Sequence, residues 1–202
     1  MAATFTATTV ANPIGAQGTY PQREGVGHEG MIADLQAYVC RSFRNQSGSA
    51  IPYGAIVQTD LDPVTNDPTA IQIATSSNAI QGIAVSSQVH EATTNMLYLP
   101  MPSPFYSDGR VGYAWKETVN VVSKGVIWVW TTAAVNLTDA VRFHKADNSA
   151  TVPTGNIGRF TKTALSGKTV LINGARWQSS TTGAGLALLE IDIPSSTFTA
   201  DA

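Results

Sequence analysis

The segment TVNVVSKGVIWVW, Thr118 to Trp130, breaks the alternation of apolar and polar residues seen elsewhere in the chain. In a strand, Ile127 and Val129 share one face, and Val126, Trp128 and Trp130 share the other, so both faces are apolar. A solvated antiparallel sheet needs only one such face, and the second therefore requires a cover. Shorter apolar runs flank this segment and predict further strands: AIVQTD from Ala55, AIQIAT from Ala70, IQGIAVSSQ from Ile80, AVRFHK from Ala140, IGRFTKT from Ile157, KTVLIN from Lys168 and LALLEIDI from Leu186. Gly and Asn-Gly signals separate many of them. Met31, Leu35, Tyr38 and Val39 are spaced to line a short helix. However, Ala37, Val39, Arg41 and Phe43 also alternate, and a strand over 37–44 is preferred. Many short strands divided by turns predict an all-β domain, a sandwich or a barrel.

Before residue 31 the pattern is different. Pro13, Pro21, Gly15, Gly18, Gly25, Gly27 and Gly30 punctuate the first thirty residues, which hold no sustained period. Residues 1–30 are expected to form an extended N-terminal arm and residues 31–202 a single β domain. Phe5, Val10, Ile14 and Tyr20 give the arm spaced apolar groups that favour docking over disorder.

Composition narrows the functional classes. A chain of 202 residues is long enough to bury about 70% of its unfolded surface in one domain. Net charge is −2 and the isoelectric point about 5.8, which leaves no electrostatic footprint for nucleic acid. The charge is uneven, −5 over residues 1–109 and +3 over 110–202, an asymmetry suited to head-to-tail contact between copies. Charged residues make up only 13% of the chain, and the Thr, Ser, Ala and Gly that replace them are common in β structural proteins. The N-terminal residues lack a charged region followed by an apolar one, and no stretch reaches the roughly 18 apolar residues of a membrane span. A soluble, unexported protein is expected. The single Cys40 cannot close an internal disulfide and is expected to be a buried or half-buried thiol.

Catalytic templates fail one by one. LSGKT at 165–169 ends like a phosphate-binding loop, but Lys162 stands where the first glycine belongs, and VLI follows where a helix is required. Gly183 and Gly185 lack the third glycine of a dinucleotide fingerprint. His28, His90 and His144 share no ligand spacing, and His90-Glu91 lacks the second histidine of a zinc helix. Asp60, Asp62, Asn66 and Asp67 offer oxygens for a hard cation without the glutamate and glycine of a calcium loop, and a solvated turn is the simpler assignment. Glu117 and Glu190 have no evident partner for acid–base work. No enzyme, cofactor or metal site is expected.

One succession of motifs is more specific. Ile51–Val57 (IPYGAIV), Gly82–Val85 (GIAV), Val119–Val129 (VNVVSKGVIWV) and Gly158–Phe160 (GRF) follow one another in an order that resembles the structural cement proteins of tailed bacteriophages. The chain departs from that family at NLTDAV, where Thr138-Asp139 replaces a Gly-Asp pair. The resemblance implies a capsid decoration protein without catalytic residues, a small barrel or jelly roll. It also implies that the protein forms a homotrimer and binds the major capsid protein on the outer surface of the head. The sites would be three-fold and quasi-three-fold positions, occupied on a virion assembled in the bacterial host cytoplasm, with no membrane or nucleic-acid partner. On this basis Phe5, Ile14, Tyr20 and Arg23 of the arm, with Trp128 and Trp130, form the candidate interface set. The rival function is a carbohydrate-binding module of a phage tail or cell surface, with Trp115, Trp128, Trp130 or Trp177 stacking on sugar rings.

Overall fold

The computed structural model describes residues 27–34, 38–60, 69–86, 111–147 and 156–202. Among them are thirteen strands: β1 (Val39–Asn45), β2 (Ile51–Pro52), β3 (Ile56–Thr59), β4 (Ala70–Ile73), β5 (Ile80–Ala84), β6 (Gly112–Tyr113), β7 (Thr118–Thr131), β8 (Arg142–His144), β9 (Phe160–Thr161), β10 (Thr169–Asn173), β11 (Arg176–Trp177), β12 (Gly185–Asp192) and β13 (Thr197–Ala200). One 3-10 turn, Ile193–Ser195, joins the last two. The helix considered near Met31 does not form over the residues described there, and every strand expected from the pattern is present.

Five strands close into a barrel in the order β1-β4-β3-β5-β7 and back to β1. An odd number of strands cannot close with every seam antiparallel, and the parallel seam here is β1–β4. Val57, Ile71, Ala84, Val119 and Val121 fill the interior, with Phe43 and Ile73 packed against them. One end is plugged by the two-stranded pair β2–β6, whose Ile51 and Tyr113 belong to the same cluster as Tyr53. Tyr113 sets its ring edge-on to Tyr53 at 5.2 Å and donates its hydroxyl to the Val85 carbonyl at 2.6 Å.

A second core lies outside the barrel. Ile56, Ile80, Ile83 and Val122 project outward from the barrel wall to meet Phe143, Phe160, Val170, Ile172, Trp177, Leu189 and Ile191. Strand β7 serves both cores. Val119 and Val121 point into the barrel, whereas Val122 belongs to the second cluster, as do Ile127 and Val129 farther along. The switch in phase coincides with a bulge: Lys124 pairs with Val39 and Val122 with Cys40, which leaves Ser123 without an opposite residue. The unusual 14-residue strand is thus two half-strands that face different cores.

The turns follow local chemistry. In NLTDAV the carboxylate of Asp139 accepts the Asn136 N–H at 2.9 Å and pairs with Lys162 at 3.1 Å, so this turn forms without the Gly-Asp pair. LSGKT is a turn leading into β10 in which Thr169 Oγ1 accepts the Leu165 N–H at 2.8 Å and donates to Asp201. The strand predicted after it is β10. Cys40 is exposed, contrary to the expectation of a buried or half-buried thiol, because its position on β1 lies on the outer side of the barrel wall.

His144 on β8 is 3% exposed. Its Nε2 meets Thr132 Oγ1 at 3.0 Å, and its Nδ1 has no hydrogen-bond partner among the described residues. Burial holds its pKa below the ordinary 6.5, opposed by the charge of Asp147. The folded state therefore keeps the imidazole neutral where the unfolded chain would protonate it. Its contribution to stability is complete above pH 6.5 and is lost as pH falls from there toward the depressed folded value. Melting temperature should decline on acidification through this window, and His144→Gln should flatten that part of the profile.

Candidate functional site

The second face and second edge of Val126–Trp130 are where the sequence demanded a cover. On one edge, β12 pairs with β7 from Lys124 to Thr131. Along the other edge runs the chain just before β1. Gly30 N–H donates to the Trp128 carbonyl at 2.8 Å, Trp128 N–H to Met31 at 2.8 Å, and Ala33 N–H to Val126 at 2.9 Å. Ile32 forms an antiparallel bridge to Ile127. Residues 28–33 thus act as a short extra strand on β7, in line with β1, which pairs with the first half of the same strand.

Side chains fix this segment. Gly27 lies so close to the Trp128 indole that a Cβ would approach it to 2.6 Å. Arg159 stacks over Trp130 with its guanidinium carbon 5.3 Å from the ring centre, and it pairs with Glu29 at 3.6 Å. Both members of that pair are largely shielded, with side chains 11% and 18% exposed, so their attraction is screened less than at the surface. His28 Nε2 lies 2.8 Å from Ser86 Oγ, and Ser86 N–H donates to Gly30 at 2.9 Å. Part of the answer to the two-sided strand is therefore the chain itself: Gly27 and the residues after it cover Trp128, and Arg159 covers Trp130. Both tryptophans remain half-buried.

The other candidates fall out as follows. Phe5, Ile14, Tyr20 and Arg23 lie outside the described residues, as do His90, Asp62, Asn66 and Asp67. Asp60 ends β3 and donates its N–H to Ala70. Among the described residues no three His, Cys, Asp or Glu side chains converge as a metal site, and no helix is long and apolar enough to cross a membrane. Glu117 accepts the Ala114 N–H at 2.6 Å, a turn cap. Glu190 is held by Arg176 at 2.7 Å, which with Gln178 keeps its carboxyl below the usual range against partial desolvation. Trp177 is 2% exposed and cannot stack on a sugar. Only Trp115, half exposed, has the accessibility that the rival function requires.

Sequence reasoning did not anticipate Glu29, Arg159 or Asn45 as organising residues. Asn45 was legible only as part of the turn NQSGS, and nothing in the separation of Glu29 from Arg159 signals their pairing.

Comparison with known proteins agrees with this architecture. A chain from the solved structure of the capsid of Myoviridae phage XM1 shares the fold, with a TM-score of 0.59 at 15% identity over 88% of this chain and 98% of that one. No curated protein matches. The sequence model of one family, described as structural cement protein (E217 gp24/Pam3 gp6), matches residues 16–192. That match spans the barrel, most of the second core, residues 27–33 and the whole of β7, and the chain belongs to the phage structural cement protein family.

Proposed function

We propose that this protein is a cement of a phage head, binding the outside of the shell as a homotrimer at three-fold and quasi-three-fold positions and stabilising the expanded state. The observation that carries this is the family match over residues 16–192, which takes in every described element except the 3-10 turn at Ile193–Ser195 and the last strand. The fold shared with a chain of a phage capsid supports it. Membership of a structural family also argues for a role without catalysis.

A cement favours one shell state only through its difference in affinity between states. A hundredfold preference corresponds to about 2.7 kcal/mol per site, multiplied over many sites. Trimerisation adds avidity by engaging several contacts at once. The apolar side chains of Tyr38 and Val39, exposed beside β7, support a contact between copies. The arm acts as a clamp: its root is fixed on β7, and Phe5, Ile14, Tyr20 and Arg23 reach the shell or a neighbouring subunit, with Trp128 and Trp130 near the point of departure.

The test is decoration of purified heads. The expected result is a trimer by mass measurement, higher occupancy on expanded than on precursor heads, and weaker decoration by a chain lacking residues 1–26. Equal occupancy on both shell states would remove the stabilising mechanism, and a protein that stays monomeric in solution and on heads would remove the trimer.

A further inference from the structure

The most exposed tryptophan among the described residues sits on one of the most tightly built turns. Trp115 and Lys116 connect β6 to β7, and Trp115 is 50% exposed. Beneath them Asn45, 0% exposed, gives its amide to the carbonyls of Ser49 at 2.7 Å, Ala114 at 3.1 Å and Tyr113 at 3.4 Å. Its backbone holds the turn as well: Lys116 N–H donates to the Asn45 carbonyl, and Asn45 N–H to the Glu117 carbonyl, each at 2.9 Å. The Glu117 carboxylate closes the turn on Ala114 N–H.

This scaffold holds Lys116 at φ +70°, a left-handed conformation that disfavours any side chain and that glycine would adopt without cost. Strain of this kind persists where the surroundings over-determine it, and it concentrates at functional positions. The retained lysine sets its Nζ 4.2 Å from the centre of the Trp115 ring, a cation–π contact that orients an exposed indole.

We propose that the Trp115–Lys116 turn is a pre-formed anchor that inserts into an acidic-rimmed apolar recess on the shell subunit. This rests on the capsid-binding reading above. Exposed aromatic side chains held rigid dominate protein interfaces because little entropy is lost when they bind. The charges about the ring favour an acidic rim: Lys116 lies over it, and the Glu117 carboxylate is taken up by the Ala114 N–H. Lys116 occupies one face of the ring, which leaves a sugar platform only the other. The turn also lies beside the barrel plug, next to Tyr113, whose neighbour Tyr53 packs near Gly30 of the arm root. Anchor and arm therefore share one end of the barrel.

The experiment compares wild-type protein, Trp115→Ala, Lys116→Gly and Leu137→Ala for melting temperature and for affinity to purified expanded heads. Leu137, exposed in the Asn136–Asp139 turn, is the control. Trp115→Ala should melt like wild type and bind heads about tenfold more weakly or worse. Lys116→Gly should melt at the same or a higher temperature and still bind more weakly, a combination that a purely structural role does not produce. Leu137→Ala should change neither. Head binding by Trp115→Ala equal to wild type overturns the anchor and leaves the cement function standing. A wild-type protein that does not bind heads overturns both, and glycan binding that disappears in Trp115→Ala would reassign the turn to sugar recognition.

Discussion

Ile127→Ala should cost the subunit about 2–5 kcal/mol, while Trp128→Ala, one residue along the same strand, should leave it folded. Ile127 is 0% exposed, lies in the second core with Leu189 and Ile191, and is flanked by Leu189 of β12 and by Ile32. Truncation removes buried methyl groups and leaves a cavity that close-packed neighbours on three sides cannot fill, the circumstance in which the cost is greatest. Trp128 is half-buried, and its two main-chain bonds to the arm root involve only its backbone. Its loss removes the surface on which Gly27 lies and should cost about 2 kcal/mol or less, as expected for a partly exposed side chain. Equilibrium denaturation of both variants checks the contrast. Amide exchange at Gly30 and Ala33 should quicken in Trp128→Ala as the root loosens. If both variants unfold alike, the two faces of the strand are not energetically distinct and the assignment of Trp128 to the arm root is wrong.

Gly82→Ala should be still more damaging for its size. At Gly82 β5 passes so close to β7 that an added Cβ would lie 2.2 Å from the Val122 carbonyl oxygen and 2.7 Å from Val121. The nearest obstacle, the Val122 carbonyl, is backbone, with the Val121 Cγ1 side-chain atom beside it, and both belong to the β5–β7 seam of the barrel. No rotamer change relieves the contact, so β5 and β7 must separate, breaking the pairs Ile83–Val122 and Ala84–Val121. A loss of about 3 kcal/mol, the upper end for overpacking by a single methyl, is expected in chemical denaturation. A variant of wild-type stability would mean that the barrel tolerates an open seam.

The strands were legible because each carries its own evidence. AIQI, KTVL and LALLEID alternate or run apolar between turn signals, and β4, β10 and β12 form there. The two-residue strands β2, β6 and β11 were missed as elements, since a pair of residues shows no period and its existence depends on distant partners such as Tyr113 for Ile51. In β7 the sequence showed that both faces are apolar, but not that the strand changes cores at Ser123, because a bulge is defined by the register of β1. The exposure of Cys40 was misjudged for a related reason: residue type favours burial, yet its side of the barrel wall is set by pairing. At the candidate site, Trp128 and Trp130 stood out by composition, whereas Glu29 and Arg159 meet only through the fold. Trp115 was noticed solely as one tryptophan among four, since the conformation of Lys116 and the bonds of Asn45 leave no trace in spacing.

The attachment of residues 28–33 along β7 has a mechanical meaning. Their hydrogen bonds to Val126 and Trp128 are crosswise to the strand direction, so a pull on the segment along the strand loads them side by side, and they resist as a set until all slip together. A pull at right angles on the N-terminal end of the segment peels them one at a time, beginning at Gly30. The Glu29–Arg159 pair and the contact of Gly27 with Trp128 stand at that leading end, where peeling would start. A joint of this form is stiff toward tension in line with the sheet and compliant toward lifting from it, so the direction from which load arrives, more than its size, decides whether the attachment holds.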